Sequence, residues 1–203
     1  MSKTKRIAGL DIIRTFAILF VIFVHAFLKI GFYDTHVSGS HFFVYITART
    51  LFFICVPLFM LLTGYLQCNK KPEKSYYITI LPILVSYIFI SILCILVNNL
   101  ILGQHISVLN GFFSIMNFTA NSYAWYVEMF IGLFLLAPFL NIIYKGIVTL
   151  NQKLLLLLTL LSLTSLPLFL YSFNTPDKIP LLLLLPKYWT VLYPITYYFI
   201  GCF

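Results

Sequence analysis

The sequence predicts an all-α protein, a polytopic bundle of about six transmembrane helices with a cytoplasmic N-terminus. Three observations predict it. Of the 203 residues, 62% are hydrophobic and only 9% are charged, where an average soluble domain has roughly 45–50% apolar and about 25% charged residues. The apolar residues come in runs of about 20, the length a helix needs to cross the hydrocarbon layer. The basic residues collect in alternate short segments between those runs, the pattern that orients helices in a bilayer. The 13 basic and 5 acidic side chains are too few to cover a soluble body of this size. Disorder is excluded by the abundance of apolar and aromatic side chains. The net charge of +8 is scattered between apolar runs and does not form the basic face that nucleic acid requires.

Taken in order, the runs are Ile7–Ile30, Phe42–Leu66, Tyr76–Leu102, Tyr123–Tyr144, Lys153–Phe173 and a shorter sixth, Tyr188–Phe203. Helices are the default because a backbone in lipid must satisfy its own hydrogen bonds, and no barrel-like alternation is visible. The first run follows Lys3, Lys5 and Arg6 but is long and has no small-residue cleavage site, so it reads as a retained signal-anchor helix. Pro57, Pro82, Pro138, Pro167 and Pro194 fall in or near runs and mark expected kinks. With the N-terminus inside, the cytoplasmic segments hold Lys3, Lys5, Arg6, Lys70, Lys71, Lys74, Lys145 and Lys153, and the outer segments hold only Lys29, Lys178 and Lys187. Tyr33, Tyr76, Tyr77, Tyr123, Trp125, Tyr144, Tyr188 and Trp189 suit interfacial belts. The loop Gly103–Ser122 has no Asp, Glu, Lys or Arg; it either dips into the outer leaflet or forms an ordinary outer loop. Cys55, Cys68, Cys94 and Cys202 form no CxxC pair and read as free thiols, with neither a disulfide framework nor a metal site.

Ionisable residues inside the runs carry the functional signal, because a charge near the bilayer centre costs roughly 2.5–3.5 kcal/mol on insertion scales. They are Asp11, Arg14, His25, Arg49 and Glu128. Arg14 and His25 are eleven positions apart, which on a helix returns to nearly the same face about 16 Å further along. Asp11, three residues before Arg14, is placed to pair with it. Arg14 could instead simply snorkel to the inner headgroups, and His25 could be a hydrogen-bonded interior histidine. Counted from the ends of the runs, His25, Arg49 and Glu128 fall at a similar depth, roughly 8–10 Å below the outer surface. That coincidence suggests a shared polar pocket on three helices; a buried structural Arg49–Glu128 pair explains it equally well.

Three of these segments carry a family resemblance. The stretch GLDIIRTFAILFVIFVHAF (Gly9–Phe27) resembles the opening helix of the acyltransferase 3 family of integral membrane O-acyltransferases. ARTLFFICVPLFMLLTGYL (Ala48–Leu66) is similar to that family's second helix, and AWYVEMFIGLFLLAPFLN (Ala124–Asn141) to its Trp-Tyr-containing helix. The resemblance implies transfer of an acyl group, usually acetyl, from cytosolic acyl-CoA to a hydroxyl of an extracytoplasmic glycan or lipid-linked sugar. It implies acetyl-CoA as co-substrate, no metal, no nucleic-acid partner, and a multi-pass protein of a bacterial cytoplasmic membrane. The family's proposed catalytic His and Arg correspond to His25 and Arg14, and a further arginine to Arg49. Two departures stand out. Thr63 replaces a usual Ser, and Tyr123 replaces a frequent His. The family's membrane domain has about ten spans, so residues 1–203 read as one membrane domain forming the N-terminal part of a larger one.

The expected site is therefore His25, as general base or else as transient acyl acceptor, since histidine alone titrates near neutrality unaided. Glu128 orients or polarises it. Arg14, Arg49, Asp11, Trp125 and Tyr126 form the substrate-binding set, with Arg14 towards acyl-CoA and Arg49 towards the oxyanion or acceptor. The alternatives are a transporter-like domain for a small amino acid or sugar, because transport paths use the same residue types, and an inactive fragment.

Overall fold

A computed structural model describes residues 7–32, 39, 41–172 and 185–203. Lys3, Lys5, Arg6, Tyr33, Phe173 and Lys178 lie outside the described residues. The elements are α1 (Ala8–Lys29), α2 (His41–Phe52), α3 (Cys55–Gln67), α4 (Lys74–Ile78), α5 (Leu81–Leu100), α6 (Val108–Met116), α7 (Trp125–Gly146), α8 (Leu150–Ser172), a 3-10 segment (Lys187–Leu192) and α9 (Tyr193–Cys202). Among the described residues, 5 stretches are long and apolar enough to cross a membrane: Ala8–Lys29, His41–Gln67, Lys74–Leu100, Trp125–Gly146 and Leu150–Leu170. These match the first five runs of the sequence.

Prolines set where the long runs break. Pro57 has no N–H for the Phe53 carbonyl, and its ring crowds that carbonyl. The second run accordingly opens at Phe53–Ile54, between α2 and α3, where Ile54 N–H tightens onto Leu51 O at 3.3 Å before Leu58 N–H resumes the regular pattern to Ile54 O at 2.9 Å. Pro82 does the same between α4 and α5, taking a place in the first turn of α5, where a missing N–H costs nothing. The sixth run departs from expectation for a related reason. Pro194 opens α9, so the segment is a 6-residue 3-10 turn followed by a 10-residue α-helix, and α9 is about 15 Å long. The uncharged loop contains α6, capped by the Ser107 hydroxyl, which accepts from Asn110 N–H at 3.2 Å.

The chain forms two compact units, Met1–Leu66 with Leu150–Phe203, and Gln67–Thr149. In the first, α3, α8 and α9 supply buried side chains, including Met60, Leu62, Leu157, Tyr198 and Phe199. Two glycines bring α3 and α9 together. A Cβ on Gly64 would strike the Tyr198 carbonyl, and one on Gly201 would strike the Leu61 carbonyl. Thr164 and Thr196 hydroxyls meet at 3.5 Å between α8 and α9.

In the second unit, Pro138 leaves the Phe134 carbonyl of α7 without its helical donor. The Tyr76 hydroxyl, from α4, donates to that carbonyl at 2.8 Å, with the Gln67 side-chain amide 2.7 Å from the same hydroxyl, and the Tyr76 and Phe134 rings stack at 4.3 Å. Asn141, 2% exposed, donates its amide to the Gln67 carbonyl at 2.7 Å and the Lys70 carbonyl at 2.9 Å. Tyr87 on α5 donates to the Ile115 carbonyl at 2.7 Å and stacks on Phe118, which holds α6 against α5.

Candidate functional site

Helix α1 runs unbroken from Ala8 to Lys29, so Arg14 and His25 lie within about 20° of one another around its axis and about 16 Å apart along it. Between Phe16 and Phe27, Ala17, Phe20, Val21, Val24, His25 and Phe27 are sheltered, and Phe16, Ile18, Leu19, Ile22, Phe23 and Ala26 are exposed. Projected down the axis, the sheltered set fills one arc, with His25 at one border and Phe20 and Phe27 at the other. The phenylalanine border packs on Phe52 of α2, with ring centroids at 5.4 Å from Phe20 and 5.9 Å from Phe27, and Phe23 stacks on Phe52 at 4.7 Å. His25 is half-buried, and its Nδ1 is closed to solvent.

The turn that ends α1 fixes His25 one turn from the helix end. Gly31 adopts φ 69°, a left-handed conformation that glycine takes without a Cβ clash. This lets Phe32 N–H reach Phe27 O at 3.3 Å while the Phe27 and Phe32 rings meet edge to face at 5.0 Å. The bond and the ring contact together form a Schellman motif. At the other end, Arg14 Nη1 contacts Asp11 Oδ1 at 3.2 Å, with side chains 46% and 31% exposed. This is the expected local pair, and at that exposure it is worth well under about 1 kcal/mol.

Arg49 lies one turn before the break made by Pro57, and its guanidinium sits 4.6 Å from the centre of the Phe53 ring. The break therefore shapes the surroundings of Arg49, because Phe53 is the residue whose helical bonding Pro57 interrupts. Thr63 donates its hydroxyl to the Phe59 carbonyl one turn earlier, at 2.7 Å.

In the other unit, Glu128 is exposed in the first turn of α7, where a carboxylate is favoured by the helix dipole. Trp125 and Tyr126 open the same helix. Tyr126, Phe130 and Phe134 continue as a ladder of rings at 6.4 and 6.1 Å that ends on Tyr76. A mostly apolar groove of about 380 Å³ lies beside Tyr123, lined by Tyr87, Ser91, Asn121 and Val127 among others.

His25 is four residues from the end of α1, Arg49 eight from the start of α2, and Glu128 three from the start of α7. These intervals are about 6, 12 and 5 Å along the respective helices. Arg14, His25, Arg49 and Asp11 belong to the first unit; Trp125, Tyr126 and Glu128 belong to the second. The sequence reading passed over Asn141 and the Tyr76–Phe134 contact. Asn141 was findable as an uncharged polar residue one turn beyond a helix-interior proline. The partnership of Tyr76 with Phe134 spans 58 positions and leaves no local sequence signal.

Apolar helices of spanning length, with an arginine and a histidine on one face of the first, define a polytopic membrane protein with polar chemistry inside its helices. The chain belongs to the acyltransferase 3 family: residues 7–203 match the family described as an acyltransferase domain. No curated relative and no solved structure matches the chain. Membership and the five apolar helices make it an integral membrane protein of the acyltransferase class.

Proposed function

We propose that the protein is a membrane O-acyltransferase that moves an acyl group, in the first instance acetyl, from cytosolic acyl-CoA to a hydroxyl of an extracytoplasmic glycan or lipid-linked sugar. The observation that carries this reading is the Arg14–His25 stripe on an unbroken α1, in a chain whose family match runs over residues 7–203. His25 takes the proton of the acceptor hydroxyl as its oxygen attacks the thioester carbonyl. A tetrahedral oxyanion forms, and Arg49 supplies the positive charge that stabilises it. The intermediate collapses, the C–S bond breaks, and the departing CoA thiolate takes the proton back from His25. Arg14, held by Asp11, faces the acyl-CoA at the cytoplasmic end of the stripe. By residue type, Glu128 is the candidate to polarise a catalytic base, and Trp125 and Tyr126 are the candidates to offer ring faces to the acceptor sugar. The N-terminus is cytoplasmic, the side favoured by the lysine distribution, and the membrane is a bacterial cytoplasmic one.

The test is to supply acetyl-CoA labelled in its acetyl group to membranes containing the protein. Label appearing in ester linkage on glycan or lipid-linked sugar supports the reading. If label stays in acetyl-CoA while an offered amino acid or sugar accumulates unmodified inside vesicles, the protein is a transporter instead.

A further inference from the structure

We infer that the groove between the α3–α4 loop and the end of α7 is a phosphate-binding site, made by Lys70, Lys71 and Lys145. The groove has a volume of about 480 Å³, and Pro72, Asn141 and Ile142 also line it. All of these residues lie in one compact unit. Three lysines line it, and among the described residues no acidic side chain does. Glu73, the nearest carboxylate in sequence, lines an adjoining groove of about 500 Å³, which Lys70 and Lys71 also line.

Two features distinguish this groove from a chance gathering of surface lysines. Pro138, Asn141, Ile142 and Lys145 recur at helical spacing on one face of α7 and all line it. Asn141 is buried, and its amide donates to the main-chain carbonyls of Gln67 and Lys70. That clamp fixes the backbone from which Lys70 and Lys71 project. It also satisfies the Gln67 carbonyl at the end of α3 and the Lys70 carbonyl in the loop that follows. Lysine binds phosphate as a point charge, and a membrane surface adds roughly 1 kcal/mol for each such residue.

Two sources offer that chemistry on the lysine-rich side: the phosphates of a nucleotide-bearing acyl donor, and the headgroup of an anionic phospholipid. The nucleotide source rests on the acyl-CoA reading above; the site itself does not, and neither probe below carries an acyl group. A failure of acyl transfer and a failure of this site are therefore read separately.

The full chain is placed in phosphatidylcholine nanodiscs. One arm measures binding of free coenzyme A and its displacement by inorganic pyrophosphate. The other measures immobilisation of a spin-labelled phosphatidylglycerol doped into the discs. Replacing Lys70, Lys71 and Lys145 together by Gln should weaken the bound probe about 10- to 100-fold. Lys74→Gln, which removes the same charge at the start of α4 but does not line the groove, should change it less than about threefold. The triple Lys→Arg variant keeps the charge and should retain binding, which separates loss of the site from loss of the fold. Loss confined to coenzyme A assigns the nucleotide source, loss confined to the lipid assigns the headgroup, and loss of both supports a shared phosphate site. If the unaltered chain binds neither probe, or the triple Gln variant binds as the unaltered chain does, the inference is overturned.

Discussion

At the residue scale, the second unit turns on one carbonyl. Pro138 removes the donor that Phe134 O would have had, and the Tyr76 hydroxyl replaces it at 2.8 Å under a stacked ring pair. Leaving a buried carbonyl unsatisfied costs about 1–3 kcal/mol. Tyr76→Phe should therefore destabilise the protein by about that much in detergent, measured by thermal or denaturant unfolding. Pro138→Ala restores an N–H one turn along α7, so the same Tyr76→Phe change should cost clearly less in that background. Equal costs in both backgrounds would show that Tyr76 stabilises by packing alone. Residue-level legibility was uneven. Asp11–Arg14 was readable because i,i+3 spacing forces the two side chains together. The cation–π contact of Arg49 with Phe53 was hidden, because it depends on the helix opening at Phe53 and not on spacing along a regular helix.

At the element scale, most of the helices were legible and their interruptions only partly so. Runs of apolar residues near 20 long gave the first five helices within a few residues of their ends. The prolines gave the kinks by position, but only the structure distinguishes Pro57 and Pro82, which divide a run, from Pro138 and Pro167, which lie inside continuous helices. At Pro138 the freed Phe134 O has a new donor in Tyr76. The α3–α9 approach was invisible from sequence, because Gly64 and Gly201 lie 137 positions apart and neither stands in a repeated small-residue motif. Gly64→Ala drives a methyl into the Tyr198 backbone carbonyl, which no side-chain rotation can relieve. It should cost at least the upper part of the ~1–3 kcal/mol typical of overpacking. Gly132→Ala on α7 meets nothing within 4 Å and should be neutral or stabilising by roughly 0.5–1 kcal/mol. Measured unfolding of the two variants separates packing from helix propensity.

At the scale of the whole molecule, scarcity of charge made the few intramembrane ionisable residues conspicuous, and the lysine distribution proposes an orientation. In a variant without native cysteines, Gln104→Cys should react with an impermeant thiol reagent added outside intact cells, and Lys71→Cys should react only after permeabilisation. The reverse result would turn the molecule over and place the three-lysine groove on the outer face. The candidate site was legible as a set of residues and not as an assembly, because spacing fixes positions along one helix and says nothing of how separate helices meet. Its central member is His25, pinned one turn from the end of α1 by the Gly31 turn. The most direct test is transfer of labelled acetyl from acetyl-CoA to glycan or lipid-linked sugar in membranes carrying equal amounts of inserted unaltered and His25→Ala protein. The account predicts transfer by the unaltered protein and background counts from the variant; transfer by the variant at the unaltered rate would contradict it.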